Sequence, residues 1–118
     1  MEGSSVAAFG PNPPGPEWWV PNTDIYVSED GHLVIEVELA AIRKEDIELT
    51  VDANRVIVRG ERSDGGRRQR CKFLVTELRY GPFESVLEIP PDYDPAQAKV
   101  AYRNGILQIA VPRKPRRD

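Results

Sequence analysis

The sequence predicts an all-β fold, either an antiparallel sandwich or a barrel. Three observations lead to this prediction: apolar and polar residues alternate over short segments, turn residues separate those segments, and no segment sustains a helical period. The turns recur at intervals of about 8–12 residues, so about seven to nine short strands are expected. At 118 residues the chain has the length of a single domain.

The first half of the chain predicts four strands joined by turns. Alternation places a strand at Thr23–Val27, and the turn Ser28–Gly31, whose Asp-Gly pair supplies a positive φ, leads into a strand at His32–Leu39. A polar connection follows, long enough for one helical turn. Two further strands are predicted at Ile47–Val51, where apolar residues alternate again, and at Val56–Val58, which is continuously apolar.

The middle of the chain predicts a long polar loop. Ser63–Arg70 combines a Gly-Gly pair with several arginines and has no apolar residue to bury. The segment Cys71–Val75 that follows is apolar enough to be considered as a strand. A more clearly bounded strand is predicted at Phe83–Ile89, after a Gly-Pro pair.

A hairpin closes the predicted fold. Asn104-Gly105 is the strongest two-residue hairpin signal, because both positions tolerate a positive φ. It joins strands predicted at Ala98–Tyr102 and Ile106–Val111, and Pro112 ends the second of them. Apolar residues alternate in that last strand, which indicates one buried face.

The composition divides the chain into an arm, a domain and a tail. Residues 1–20 are predicted to form a flexible arm, because most of them are glycine, proline or small residues that offer little to bury. Trp18 and Trp19 mark the edge of the folded part. Residues 21–113 are predicted to form the domain, and residues 114–118 a short basic tail.

Cysteine usage and hydropathy predict a cytoplasmic protein. Cys71 is the only cysteine, so no internal disulfide can form, and a reducing compartment fits this best. The start of the sequence lacks the basic and apolar regions of a signal peptide. No apolar run approaches the roughly 20 residues of a membrane span, so no membrane partner is expected.

Catalytic patterns are missing, so we expect no enzymatic activity, no cofactor and no metal. A catalytic site needs a nucleophile, a base and a group that orients them. His32, the only histidine, follows a turn glycine, and Cys71 has no motif partner. Glu36 and Glu38 are interpreted as the solvated side of a strand. The sequence has no glycine-rich phosphate loop and no Cys/His metal spacing.

The charge distribution argues against a general polyanion binder, since the net charge is −3. Two basic clusters, at residues 67–70 and 113–117, leave contact with nucleic acid open. No aromatic stacking platform accompanies them, so we interpret them as a solvated loop and a solubilising tail. No nucleic-acid partner is therefore expected.

Short motifs in a fixed order resemble the α-crystallin domain of small heat-shock proteins of the bacterial and plant type. The resemblance covers Pro21 to Lys114, and its most specific part is the closing signature formed by Ala101 and Asn104–Leu107. Further motifs follow the family order: an opening strand at Asp24–Tyr26, K-x-D-I at Lys44–Ile47, G-E-R at Gly60–Arg62, E-x-x-Y-G-x-F at Glu77–Phe83 and L-P-x-x-x-D at Ile89–Asp94.

The chain departs from the family pattern in three places. Ala40-Ala41 stands where the family usually has Pro-Gly, and Ser85 stands where an arginine usually follows the phenylalanine. After Pro112 there is no I-x-I/V motif, with which the tails of relatives dock into a groove on a neighbouring dimer. We therefore expect assembly to stop near the dimer.

The resemblance implies an immunoglobulin-like antiparallel β-sandwich and an ATP-independent holdase chaperone. Such a protein binds partly unfolded proteins, which expose apolar patches and strand edges, and so limits their aggregation. The alternative is a p23-like co-chaperone module, which has a similar sandwich and binds a partner chaperone.

The resemblance also implies two surfaces for clients. The first is an edge groove that accepts the tail motif in relatives and is expected here to accept clients or the tail of another small heat-shock protein; its residues are Ile47, Leu49, Val51, Ala98 and Val100. The second is the arm, with Phe9, Trp18 and Trp19 as aromatic anchors. The alternative for the two tryptophans is that they pack onto the sandwich.

A homodimer formed by strand exchange is the third expectation. The segment Arg67–Phe73, hinged at Gly65-Gly66, is expected to pair with the strand Thr23–Val27 of the partner. The predicted interface residues are Ile25, Tyr26, Arg68, Arg70, Cys71 and Phe73. Reciprocal exchange gives two-fold symmetry, the commonest closed symmetry of oligomers.

Overall fold

Two antiparallel sheets make up the part of the chain that the structure, a computed structural model, describes: residues 18–116. The strands are β1 (Thr23–Val27), β2 (Leu33–Glu38), β3 (Ile47–Asp52), β4 (Arg55–Arg62), β5 (Gly81–Glu88), β6 (Lys99–Arg103) and β7 (Ile106–Val111). One sheet has the order β1-β2-β7-β6 and the other the order β3-β4-β5. The predicted all-β sandwich is confirmed, and the barrel is wrong because the sheets do not close.

The core lies between the two sheets and follows from the two-residue period of the strands. Ile35 of β2 lies opposite Ile109 of β7, and neither side chain is exposed. The buried apolar side chains form one cluster: Trp19, Leu33, Ile35, Val37, Leu39, Ile42, Val56, Val58, Phe83, Ile89, Tyr93, Leu107, Ile109 and Val111. Burial of one large aliphatic or aromatic side chain contributes about 1.5–3 kcal/mol, so this cluster is the main source of stability.

The glycine of the Gly-Glu-Arg motif makes room for a core aromatic ring within the three-stranded sheet. Gly60 of β4 lies opposite Phe83 of β5. A Cβ atom on Gly60 would lie 2.6 Å from the Phe83 ring, which is closer than carbon atoms can approach. Only glycine fits at this position without displacing the largest fully buried side chain of the core.

The link from the four-stranded to the three-stranded sheet contains a strained alanine. Ala41 has a φ of 65°, in the left-handed region that favours glycine. It stands where the family usually has the glycine of Pro-Gly. The link is anchored before this residue, because the Leu39 N–H donates to the Gly105 carbonyl of the closing hairpin at 2.7 Å.

The segment after β4 differs from the prediction. Arg67–Arg70 forms a single helical turn, α1, and the considered strand at Cys71–Val75 is wrong, since that segment forms no strand. The carboxylate of Asp64 explains the turn, because it accepts hydrogen bonds from the backbone N–H groups of Gly66 at 2.7 Å and Arg68 at 3.2 Å. These hydrogen bonds also lower the pKa of Asp64.

Candidate interaction surfaces

One open side of the sandwich lies between the edge strands β3 and β6, and we call it the groove side. Leu49 and Val51 of β3 pair with Val58 and Val56, which are fully buried, so their side chains face inward. Val51 is nevertheless 38% exposed. An inward-facing apolar side chain that stays exposed has no cover from the opposite sheet.

The strand β6 provides the other wall of the groove side. Val100 pairs with the fully buried Ile109, so it faces inward, and yet it is 49% exposed. Ala98 and Tyr102, which lie two residues before and after Val100, pack against the core. On β3, Ile47 and Leu49 also pack against the core. The structure therefore places the five predicted groove residues along the same open side.

Tyr102 fastens the groove side at one end. Its hydroxyl oxygen lies 2.6 Å from the carbonyl oxygens of both Leu39 and Ile42, and its single proton is shared between them. These two carbonyls belong to the link that leads into β3. The tyrosine thus ties β6 to the link before β3 at this end of the groove side.

The opposite open side lies between the edge strands β1 and β5, and we call it the arm side. Here Trp19 forms a parallel bridge with Phe83 of β5. Its backbone N–H donates to the Pro82 carbonyl at 3.1 Å, and its carbonyl accepts from Glu84 N–H at 3.2 Å. The indole N–H donates to the Gly81 carbonyl at 3.0 Å. The Trp19 side chain is 5% exposed.

A buried guanidinium covers the Trp19 ring. Arg62, 7% exposed, lies over the ring at 4.6 Å from its centroid. Its Nε donates to the Ala40 carbonyl and its Nη1 to the Arg79 carbonyl, both at 3.1 Å. Arg62 therefore joins three segments, namely the start of the domain, the link at Ala40 and the end of the loop. Sequence reasoning matched Arg62 to a motif but missed this role, which depends on tertiary contacts.

The predicted arm anchors separate into three cases. Trp19 belongs to the core cluster, so its assignment as an exposed client contact is wrong, and the alternative that it packs onto the sandwich holds. Trp18 is half-buried and remains a prediction. Phe9 lies outside the described residues.

The predicted dimer residues on β1 are accessible. Ile25 pairs with the buried Ile35 and faces inward, but it is half exposed because β1 is the last strand of its sheet. Tyr26 lies on the outer face, where its hydroxyl donates to the Glu36 carboxylate at 3.1 Å. Desolvation and this hydrogen bond raise the pKa of Tyr26. One edge of β1 pairs with β2, and the other edge has no strand partner in the described residues.

The predicted dimer residues after β4 lie in an exposed segment. Arg68, Arg70 and Cys71 are exposed, and Phe73 is half-buried. The polar contacts are local, since Arg70 Nη2 donates to the Gly65 carbonyl at 2.9 Å. The apolar residues that follow are uncovered, and Leu74 is 87% exposed. Within one chain, the structure does not bring this segment onto the edge of β1.

Among residues 18–116 no group of three or more His, Cys, Asp or Glu side chains is placed to hold a metal ion. His32 lies beside the turn before β2, with its Nδ1 3.2 Å from the Asp30 carboxylate. No helix in the described chain is long and apolar enough to span a membrane.

The family model of the Hsp20/alpha crystallin family matches residues 25–118. Because the match covers most of the chain, the chain belongs to the Hsp20/alpha crystallin family, and the resemblance seen in the sequence is confirmed.

Individual relatives include bacterial and plant proteins. Small heat shock protein C2 of Rickettsia felis is 27% identical over 95 residues, which cover 80% of this chain and 61% of that protein. The 16.9 kDa class I heat shock protein 1 of Triticum aestivum is 31% identical over 81 residues, which cover 68% of this chain and 54% of that protein. The chain thus spans about three fifths of the length of such relatives.

A solved structure with the same fold is hspA from Xanthomonas axonopodis. It superposes with a TM-score of 0.73 at 33% sequence identity, over 82% of this chain and 96% of that one. The seven-stranded sandwich is therefore an α-crystallin domain.

Proposed function

We propose that the protein is an ATP-independent holdase chaperone that binds partly unfolded proteins at the groove side. The observation that carries this proposal is the pair Val51 and Val100, whose side chains face the core by register and yet remain 38% and 49% exposed. They lie on two edge strands that have no strand partner on their outer side among residues 18–116, which leaves outer backbone groups to pair. A client segment in extended conformation satisfies both, because its backbone pairs with an edge while its side chains cover the valines.

Binding of this kind needs no chemical energy. Holding the aggregation-prone population lowers its free concentration by mass action, without nucleotide hydrolysis. We place the protein in the cytoplasm, in keeping with its single cysteine. The family match supports this function over the p23-like co-chaperone alternative.

Light scattering tests the proposal. A heat-sensitive client is warmed alone, with the protein and with the protein plus ATP. We expect the protein to reduce scattering to the same extent with and without ATP. Unchanged client aggregation at a several-fold excess of the protein would contradict the proposal.

We also propose a homodimer formed by strand exchange. The free edge of β1 is the acceptor, and the exposed segment Arg68–Phe73 is the donor. The donor is strongly basic, whereas the acceptor edge carries Asp24 opposite Glu36, so the charges are complementary. The adjacent glycines Gly65 and Gly66 have φ values of 68° and 80°, which suits a hinge.

Mass measurement in solution tests the exchange. Replacing Arg68–Phe73 by a Gly/Ser linker should convert micromolar dimers into monomers. The matched control replaces only Leu74 and Val75 by serine, which removes apolar surface but keeps the donor segment. A linker variant that stays fully dimeric, or a monomeric wild type, would rule out the exchange.

The groove side is further proposed to accept the tail of another small heat-shock protein in competition with clients. Ile47 and Leu49 on β3, and Ala98 and Tyr102 at β6, are partly buried apolar residues on which alternate side chains of an extended tail can pack. The arm is proposed to add client contacts through Phe9 and Trp18. Deletion of residues 1–17 should then reduce chaperone action and leave the β-type circular dichroism unchanged.

A further inference from the structure

Within residues 18–116, the outer backbone edge of β5 is occupied by a single residue, Trp19. Alternate residues of an edge strand direct their N–H and C=O groups outward. In β5 these are the even-numbered ones, because Pro82 and Glu84 bond to Trp19. Val86 is the next in this series, and its N–H and C=O have no backbone partner in the described chain. The free edge therefore continues beyond Trp19.

Apolar side chains line the opposite wall of the arm side. Ile25 and Val27 of β1 pair with the buried Ile35 and Leu33, so they face inward, but they are 49% and 56% exposed. Val20, next to Trp19, is similarly exposed. Within one chain, an open edge of β5 and uncovered apolar side chains of β1 thus occur together on the arm side. The partner segment proposed above pairs with the edge of β1, so the edge of β5 stays available in the dimer.

Trp19 shows what this side accepts. Its backbone makes the hydrogen bonds of an added strand, its ring packs against Phe83 at 5.2 Å between centroids, and Arg62 covers it. Proline follows two residues later and has no N–H to donate, so the bridge cannot lengthen into a strand. Trp19 fills the aromatic position and leaves the rest of the edge unpaired.

We propose that the arm side is a second client site, specific for extended segments that carry a bulky aromatic residue followed by alternating apolar residues. Trp19 is its resident ligand and must leave before a client binds. The client aromatic ring takes the place of the indole between Phe83 and Arg62, and the following residues pair with the edge at Val86. This second site presupposes the client-holding function proposed above.

A peptide affinity measurement tests the site directly. The probe is a fluorescein-labelled peptide Thr-Trp-Thr-Val-Thr-Val-Thr, and its binding is followed by fluorescence anisotropy. We expect at least about a tenfold higher affinity for Trp19→Ala than for wild type, because the resident ligand no longer competes. A peptide with serine in place of tryptophan should bind neither protein. Equal affinities for the two proteins would overturn the proposal.

Two substitutions of Val86 test whether the peptide binds by pairing its backbone with the edge of β5. In the Trp19→Ala background, Val86→Pro removes the open N–H but leaves the ladder to β4 intact, since Val86 directs its N–H outward. The matched control, Val86→Thr, keeps the N–H and a similar volume. We expect the proline variant to lose peptide binding and the threonine variant to retain it. Equal binding by both variants would overturn the pairing.

A measurement on the intact Trp19 covers the case in which Trp19→Ala does not fold. Trp18→Phe leaves Trp19 as the only tryptophan. Titration with the same peptide, carrying phenylalanine in place of tryptophan, should shift the emission of Trp19 to longer wavelength as the indole enters water. Saturable peptide binding with unchanged emission would place the peptide elsewhere and overturn the proposal.

These readouts are independent of aggregation. If the protein suppresses client aggregation but the peptide does not displace Trp19, only the second client site fails. If the peptide displaces Trp19 but client aggregation is unaffected, the peptide-binding site stands and the proposed holdase function fails.

Discussion

The two open sides of the sandwich differ in what covers them. Both lie between the last strands of the two sheets, and both expose inward-facing apolar residues. On the arm side, Trp19 and Arg62 close part of the opening with four hydrogen bonds to neighbouring carbonyls and a stacked ring. On the groove side, no residue from 18 to 116 covers Val51 and Val100 in this way. The same sandwich therefore offers one occupied and one vacant edge, and the vacant edge is the natural first site for a client.

The largest expected loss of stability follows from removing the Trp19 side chain on the arm side. Trp19→Ala should lower the free energy of unfolding by about 3–5 kcal/mol, because a buried aromatic ring and its packing are lost. Urea denaturation followed by circular dichroism measures this. Trp18→Ala is the matched control, since Trp18 is outside the core cluster, and it should cost much less. Equal losses of stability in the two variants would contradict the claim that Trp19 closes part of the arm side.

Loss of the Tyr102 hydroxyl, which ties β6 to the link before β3, should give the next largest loss of stability. Tyr102→Phe removes the hydroxyl that bonds to the Leu39 and Ile42 carbonyls. We expect a loss of about 1–2 kcal/mol in the free energy of unfolding, because two part-buried acceptors lose their donor. The same denaturation experiment measures it. A loss below the error of the measurement would mean that the link is held by other contacts.

A charge in the vacant groove should impair binding and not folding. Val100→Asp places a carboxylate on the groove wall, and we expect client affinity to fall by about 1 kcal/mol, roughly fivefold. Lys99→Asp is the matched control, because Lys99 is the neighbouring residue on the outer face of β6. Client binding is measured by anisotropy, and stability by denaturation. Equal effects of the two substitutions would make general charge, rather than the groove, the cause.

The smallest expected effect relieves strain beside the groove. Ala41→Gly should raise the free energy of unfolding by about 0.5–1 kcal/mol, because glycine adopts a positive φ without steric cost. The gain is measured by the shift in the denaturation midpoint. Ala40→Gly, one residue earlier, is the control, since Ala40 does not have a positive φ and should lose stability. A destabilised Ala41→Gly variant would show that the turn is not strained.

The sequence was informative wherever local pattern determines structure. The alternation at Ile47–Val51 and the Asn104-Gly105 turn predicted their strands, and the register of an antiparallel sheet then fixed which side chains face inward. The groove residues followed from this together with the family resemblance. The family assignment itself rested on motifs that recur in order along most of the chain.

The remaining features depend on contacts between distant residues. The indole of Trp19 and the guanidinium of Arg62 meet through tertiary packing, and no local signal distinguishes a tryptophan that packs from one that binds clients. The composition of Cys71–Val75 is compatible with a strand, yet no sheet edge within residues 18–116 receives it. The preceding helical turn arises from the Asp64 carboxylate, whose hydrogen bonds were not anticipated.

Hydrogen–deuterium exchange on the client-loaded protein tests the central claim, that clients are held at the vacant groove side, most directly. The protein is compared alone and with a heat-denatured client, at equal protein concentration and without nucleotide. We predict slower amide exchange in β3 and β6 on client loading, because their outer backbone groups become paired. Unchanged exchange in both strands while the client stays bound and soluble would contradict the claim.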